Sequence, residues 1–183
     1  RSHQGWSTSD AAGTSSTHRR QIAYTRPKGL IMKFTGSIAV PALPAAVFDK
    51  LNDPQFFASC VQGVEDLEEI DPTHYKAVLA TKIAFIRFRF DISVEIVEQV
   101  RPERVVAKSE GKPIGSAGRL SSTSSVTLSE TEGGTEVAYE IDMVMAGKLG
   151  SIGQPVLKSK AREMEKDFAA NLIAAFTHEE ATT

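Results

Sequence analysis

The segment Leu149–Phe176, near the end of the chain, is the feature that most constrains the fold. Its apolar residues recur every three or four positions and charged residues fill much of the rest, which predicts one amphipathic helix with a continuous apolar stripe. Its 28 residues, at ~1.5 Å each, would span about 42 Å, and a strand of about a dozen residues spans ~40 Å. A helix as long as the strands before it predicts a sheet curled around a terminal helix, with an apolar hollow between the two.

The first 31 residues differ from the rest of the chain in composition. They are rich in Ser and Thr, lack periodic apolar positions, and hold five basic residues against one acidic residue, Asp10. We expect residues 1–31 to be a disordered tail or a remnant upstream of a natural start at Met32. A basic arm that contacts phosphates is the alternative. Residues 32–178 are predicted to form a single domain, followed by a short tail at 179–183.

The predicted domain is acidic. Without the tail, 16 Lys and Arg remain against 22 Asp and Glu, a net charge of −6, whereas the whole chain carries −2. An acidic domain argues against a nucleic-acid-binding surface, which requires a basic face. Cys60 is the only cysteine, so neither an internal disulfide nor a cysteine metal cluster can form. No segment approaches the ~18 consecutive apolar residues of a spanning helix, and we therefore expect a cytoplasmic protein.

Alternation of apolar and polar residues predicts seven strands. The clearest is Ile86–Val97, whose alternation is typical of an antiparallel sheet with one solvated face. The other predicted strands are Lys33–Val40, Val64–Ile70, His74–Ile83, Arg104–Glu110, Leu120–Glu130 and Thr135–Met145. Short connections favour sequential antiparallel neighbours. The predicted class is α+β: a seven-stranded curved antiparallel sheet wrapped around the long C-terminal helix.

Prolines mark the predicted helices. One short helix is expected from Pro44 to Leu51, and a second starts at Pro54, where Asp53 can cap free backbone N–H groups. Both lie between the first two strands. Pro155 allows two interpretations of the terminal helix, which either starts at Gln154 or begins near Leu149 and kinks at the proline. We favour the kink, because the apolar stripe continues upstream of Pro155.

Patterns for catalysis or metal binding are weak. None of the four histidines has a second ligand at metal spacing, no Gly-x-Ser-x-Gly motif occurs, and Cys60 is expected to be a core residue. The glycines of Gly147–Gly153 could form a phosphate loop, but they lack the Walker spacing. We expect them to let the helix approach the sheet. Arg87 and Arg89 are expected on a solvated face, with contact to an acidic partner as the alternative.

Two features indicate a site for a hydrophobic ligand. Aromatic residues and flexible methionines suit a cavity that adapts to its ligand. Ser122 and Ser124 share the side of their strand with Leu120 and Val126, so a face that should be buried carries hydroxyls, through either solvent exposure or contact with a ligand carbonyl. The candidate ligand-binding residues are Phe56, Phe57, Phe88, Phe90, Ser122, Ser124, Tyr139, Ile141, Met143, Met145, Met164 and Phe168.

Several short motifs, taken in order, resemble those of one family. The chain is similar, from Met32 to Phe176, to the CoxG family, whose members are named as a subunit of carbon monoxide dehydrogenase. The motifs are Met32-Lys33-Phe34-Thr35-Gly36, Leu51-Asn52-Asp53-Pro54, Cys60-Val61-Gln62-Gly63-Val64-Glu65, Gly134-Thr135-Glu136-Val137-Ala138-Tyr139-Glu140, Gly147-Lys148-Leu149 and Ala161-Arg162-Glu163-Met164. The resemblance implies the helix-grip fold of the START-like (Bet v 1-like, SRPBCC) superfamily.

The resemblance also implies a function. CoxG-like proteins are accessory proteins without a catalytic motif, so the chain would bind menaquinone or another lipid non-covalently in its cavity. It would link a molybdenum hydroxylase-type carbon monoxide dehydrogenase to the membrane quinone pool. Peripheral contact with the inner face of the cell membrane is implied as well. The alternatives are an assembly or membrane-recruitment factor without ligand transport, and a START-like cyclase-type enzyme.

Overall fold

The computed structural model describes residues 29–180. Residues 1–28 and 181–183, which hold most of the two predicted tails, lie outside the described residues. The elements in chain order are β1 (Leu30–Val40), α1 (Pro44–Leu51), α2 (Pro54–Cys60), β2 (Val64–Asp71), β3 (His74–Ile83), β4 (Ile86–Val100), β5 (Arg104–Pro113), β6 (Gly118–Thr131), β7 (Gly134–Gly147), α3 (Lys148–Ser151) and α4 (Gln154–Glu180). All seven predicted strands are present, and β1 begins three residues earlier than expected.

The strands form one antiparallel sheet in the order β1-β7-β6-β5-β4-β3-β2. Strands β2 to β7 are sequential neighbours, as predicted. β1 departs from that expectation, because it pairs with β7, with Leu30 opposite Met145 and Val40 opposite Thr135. α1 and α2 carry the chain from β1 to the opposite edge of the sheet, where β2 lies. The predicted class, an antiparallel sheet of seven strands with a long C-terminal helix, is confirmed.

The starts of α1 and α2 follow the sequence signals. Pro44 and Pro54 occupy the beginning of their helices, where a missing N–H is no loss because the first N–H groups have no helical partner. The Asp53 carboxylate accepts hydrogen bonds from the backbone N–H groups of Gln55 at 3.0 Å and Phe56 at 3.3 Å. The predicted cap is confirmed.

The predicted kink of the terminal helix is wrong. The chain instead forms a four-residue helix, α3, and starts a new helix at Gln154. Gly153 separates the two with a φ of +99°, a left-handed conformation that glycine adopts without steric cost. Pro155 therefore falls in the first turn of α4, where it breaks no hydrogen bond. Leu149 continues the apolar stripe as expected, because α3 still buries it to 1% exposure.

The hydrophobic core is divided into two clusters, one near each end of α4. We call them the upper and the lower core. The upper core contains Ile38, Val40, Val47, Phe48, Leu128, Val137, Leu172 and Phe176. The lower core contains Met32, Ile83, Phe88, Phe90, Met145, Leu149 and Leu157. α4 is thus attached to the sheet at two separate places, through Leu172 and Phe176 at one and Leu157 at the other.

The helices were compared with the requirements of a membrane span. Across residues 29–180, no helix combines the length and the apolar character needed to cross a bilayer.

Candidate functional site

The middle of the sheet's inner face is only half-buried. On β7, Val137 and Met145 are each 3% exposed and belong to the upper and lower cores. The three residues between them on the same face, Tyr139, Ile141 and Met143, keep intermediate exposure. The neighbouring strands repeat this pattern, as Ser122 and Ser124 on β6 and Ile92 and Val94 on β4 show. Solvent therefore reaches the stretch between the two cores, which we call the central gap.

Serine hydroxyls form a polar point within this apolar surface. The Oγ atoms of Ser109 and Ser122 lie 2.8 Å apart and share a hydrogen bond. Ser122 is paired with Met143 across β6 and β7, and Ser124 with Ile141. Each hydroxyl can donate once and accept twice, so the serine pair retains capacity for a further partner. A carbonyl oxygen that enters the central gap could accept a hydrogen bond here.

A second polar point joins the sheet to α4. The Tyr139 hydroxyl donates a hydrogen bond to the Glu165 carboxylate, and burial, this hydrogen bond and the negative charge hold the pKa of the phenol well above its usual range. The two side chains meet over Gly36 on β1, which is opposite Tyr139 in the sheet. A Cβ atom at residue 36 would lie 2.6 Å from Tyr139 Cζ and 2.8 Å from Glu165 Oε1. Glycine is therefore required at this position for close approach.

Aromatic residues border the central gap on its upper side. The rings of Phe57 and Phe168 pack at 5.2 Å between centroids and an angle of 54°. Phe56 and Phe168 pack against the upper core, whereas Phe57 stays 46% exposed. Met164 is half-buried one helical turn before Phe168. α2 and α4 together bring these four candidate residues to one side of the site.

The remaining candidates divide between the central gap and the lower core. Ser122, Ser124, Tyr139, Ile141 and Met143 lie in the gap, as described above. Phe88, Phe90 and Met145 are at most 5% exposed in the lower core, and the two rings stack at 5.6 Å. These three residues form the base of the site. The assignment of all twelve as ligand-binding residues stays a prediction.

Two open recesses flank α4 on its outer sides. The first has a volume of about 400 Å³ between α2 and α4 and is lined by Ser59, Gln62, Asp167, Ala170 and Asn171. The second, of about 580 Å³, separates the β3–β4 hairpin from the start of α4 and is lined by Lys82, Ala84, Pro155, Val156, Ser159, Lys160 and Glu163. Neither recess is lined by a predicted ligand-binding residue. The second recess lies beside the lower end of the site.

Sequence reasoning missed three residues of the site: Gly36, Ser109 and Glu165. An isolated glycine in an alternating strand is a signal for close backbone or side-chain approach, and Gly36 could have been identified in this way. Ser109 is recognised only through the β5–β6 register, which places it opposite Ser122. Glu165 lies among the charged residues of α4, and only the tertiary structure brings it to Tyr139.

Other reactive groups are few. In the part of the chain that the structure describes, no cluster of three or more His, Cys, Asp and Glu side chains is arranged to hold a metal ion. Cys60 is 1% exposed, and burial raises the pKa of its thiol. The Gly147–Gly153 segment allows close packing, as expected: a Cβ at Gly150 would lie 2.9 Å from the Met145 carbonyl oxygen.

Solved structures with a similar fold are known. A conserved protein from Geobacillus kaustophilus is 24% identical, with a TM-score of 0.74, and the match covers 80% of this chain and 96% of that one. Ara h 8.0201 is 12% identical, with a TM-score of 0.52 and coverage of 79% and 99%. The di-domain ARO/CYC BexL of the BE-7585A biosynthetic pathway is 16% identical, with a TM-score of 0.51 and coverage of 79% and 50%. At these identities the similarity establishes the fold alone, which is the helix-grip fold of Bet v 1-like proteins.

The family comparison is more specific. No curated protein shows significant sequence similarity to this chain. The family model for CoxG, described as a subunit of carbon monoxide dehydrogenase, matches residues 36–176, which include both cores and the central gap. The chain therefore belongs to the CoxG family.

Proposed function

We propose that this protein is a non-enzymatic accessory protein that holds a quinone or another lipid between α4 and the sheet. It presents this ligand to a molybdenum carbon monoxide dehydrogenase-type enzyme. The central gap is the observation that carries the proposal, because an apolar surface on the inner face of the sheet stays accessible between two well-buried cores. Membership of the CoxG family supports the class of the partner.

The apolar walls of the gap provide the driving force for binding. A ligand that covers ~300 Å² of apolar surface gains about 7 kcal/mol, which barely exceeds the lower estimates of the cost of association. Micromolar affinity requires a net gain of about 8 kcal/mol. A long-tailed ligand that covers roughly twice that surface would reach this range. The gap therefore favours a prenylated quinone or a lipid over a small aromatic molecule.

The polar groups of the gap suit the head of such a ligand. A buried carbonyl without a hydrogen bond costs about 1–3 kcal/mol, and the hydroxyls of Ser122, Ser124 and Ser109 can avoid this cost. The Tyr139 hydroxyl is a further donor if it leaves Glu165. We expect the head group beside the serines and the tail along Ile141 and Met143.

Ligand binding can be measured directly. Solvent extraction of the purified protein followed by mass spectrometry should recover a quinone or lipid. Titration of stripped protein with menaquinone should then show saturable binding, and Met143→Trp should weaken it at least tenfold by filling the gap. Thr123→Trp is the matched control, because Thr123 is exposed on the opposite face of β6. Absence of any bound lipid, together with no response to menaquinone, would refute the proposal.

The role of the partner requires a separate experiment. The carrier model predicts that the protein binds the dehydrogenase and that Met143→Trp abolishes electron transfer from enzyme to menaquinone while binding to the enzyme persists. If Met143→Trp changes neither property, the alternative of an assembly or recruitment factor without ligand transport is favoured.

One contact favours a second candidate function, a cyclase-type enzyme. The hydrogen bond between Tyr139 and Glu165 places a phenol and a carboxylate side by side at the central gap, and such groups can serve as acid and base. Mass spectrometry distinguishes the two functions, because a carrier returns its ligand unchanged. A product with altered mass or connectivity that depends on Glu165 would favour the enzyme.

A further inference from the structure

Positive charge is concentrated at one end of the sheet. The β3–β4 hairpin, the β5–β6 connection and the path from β7 through α3 into α4 meet at this end, as the strand register requires. Residues 81–90, 111–120 and 146–162 contain nine Lys and Arg and no Asp or Glu. The rest of residues 29–180 contains seven basic against 22 acidic residues. We call these three segments the basic end.

Most of these cations have no acidic partner. Three form ion pairs with acidic side chains outside the three segments: Arg89 with Glu65 at 3.0 Å, Lys160 with Glu163 at 3.3 Å, and Arg119 with Glu110. Within residues 29–180, no acidic group lies within 4.0 Å of the other six, which are Lys82, Arg87, Lys112, Lys148, Lys158 and Arg162. The basic end is therefore open to an anionic partner.

Large apolar side chains project from the same end. Phe85 is 95% exposed at the tip of the β3–β4 hairpin, where Ala84 and Phe85 connect the paired residues Ile83 and Ile86. Ile86, Ile114 and Val156 are 46%, 48% and 37% exposed. An exposed aromatic ring at a hairpin tip contributes nothing to the fold. Apolar residues surrounded by cations are the combination that inserts at the surface of an anionic bilayer.

We propose that the basic end docks onto an anionic lipid bilayer and that the Phe85 side chain inserts among the acyl chains. The inference rests on the proposed function for its purpose, because a carrier of membrane lipids must reach the bilayer. Charge complementarity also fixes the orientation. The basic end faces the lipid, and the acidic remainder of the domain, with 22 acidic residues, is repelled and faces away.

The docked orientation gives the second recess a position. Lys82, Ala84 and Val156 line this recess between the hairpin and α4, and they also belong to the basic end. In the docked state the recess opens toward the bilayer, beside the lower end of the central gap. A lipid that leaves the bilayer would therefore enter between the β3–β4 hairpin and α4.

Vesicle flotation tests the apolar part of the proposal. The full chain should float with vesicles of phosphatidylcholine and phosphatidylglycerol, and much less with phosphatidylcholine alone. Phe85→Ser should weaken binding by about tenfold, because the apolar ring no longer inserts. Leu43→Ser is the matched control, because Leu43 is 66% exposed near the end of β1, at the other end of the sheet. Circular dichroism confirms that both variants fold.

Charge reversal tests the electrostatic part. Arg87→Glu with Lys112→Glu changes the net charge as much as Lys76→Glu with Lys108→Glu, a pair outside the basic end. An interfacial Lys or Arg strengthens binding about fivefold, so the first pair should weaken binding by at least ~25-fold. The second pair should change it only a few-fold. Raising the salt concentration to about 1 M should weaken the wild type, because the Debye length falls to ~3 Å.

Several results would overturn the inference. They are equal binding to both vesicle types, equal effects of the two charge reversals, or a Phe85→Ser variant that floats like wild type. Loss of dehydrogenase binding in Phe85→Ser with unchanged flotation would assign this end to a protein partner. Menaquinone titration of Phe85→Ser in detergent separates the two proposals. If the variant fails to dock but still binds menaquinone, docking and ligand binding are distinct; if wild type docks but binds no ligand, only the proposed function fails.

Discussion

Two methionines on β7 provide a direct test of the central gap. Met143 and Met145 lie on the same strand and the same face, two residues apart. Met145 is 3% exposed in the lower core, whereas Met143 is half-buried between the two cores. Changing each to alanine removes the same atoms from two environments that differ mainly in how completely the side chain is covered.

The expected losses of stability differ. Met145→Ala should lower the free energy of unfolding by about 2–5 kcal/mol, because it removes a packed side chain and leaves a cavity. A loss of ~3 kcal/mol lowers the Tm of a domain of this size by about 6–12 °C. Met143→Ala should cost about 1 kcal/mol or less. Partial burial gives only part of the ~1.5–3 kcal/mol of full burial, and no closed cavity remains.

Urea denaturation of lipid-stripped protein measures both values. The two variants should share the m-value of the wild type, so that a shift of the midpoint reports stability alone. Equal losses for Met143→Ala and Met145→Ala would refute the reasoning, because the middle of the inner face would then be packed as tightly as the lower core and could not accept a ligand.

Three further predictions concern single contacts. Gly36→Ala should lower the free energy of unfolding by about 1–3 kcal/mol, because its Cβ overlaps the Tyr139 ring; Tyr139→Ala in the same chain should recover part of the loss, and strict additivity in the double-mutant cycle would contradict the contact. A hydrogen bond from His74, followed by one from the Thr73 backbone, lowers the pKa of Asp71 from 3.8 to about 2. Because the folded pKa is the lower one, this stabilisation is present above pH ~4 and is lost as the pH falls toward 2; Asp71→Asn should flatten that part of the stability profile in urea titrations, and an unchanged profile would contradict the assignment. Thr135→Val should cost about 1–3 kcal/mol, because the buried hydroxyl donates a hydrogen bond of 2.6 Å to a backbone carbonyl before α1; Thr135→Ser should retain more stability than the valine variant in thermal melts, and the reverse order would exclude the hydrogen bond.

The strands and the short helices were predictable because their signals are local. Alternation along Ile86–Val97 requires only a period of two, and Asp53 caps a helix start that Pro54 marks. The start of α4 was not predictable in this way, since the apolar stripe passes through Leu149 and hides the break at Gly153. A positive φ at a glycine is allowed by the sequence but not required by it.

The site was less predictable than the fold because it depends on residues far apart in the chain. Parity within β6 placed Ser122 and Ser124 on the inner face. The contact of Tyr139 with Glu165, by contrast, depends on how α4 is positioned over Gly36. The basic end also emerges only when the register aligns three segments whose charges are ordinary one by one.

The divided core has a consequence for how such proteins diverge. The upper core and the lower core each secure α4 without help from the residues between them. Substitutions at Ile141, Met143 or Ser124 can therefore alter the size and polarity of the guest while the framework keeps its strength. Evolution of a new cargo need not pass through poorly folded ancestors.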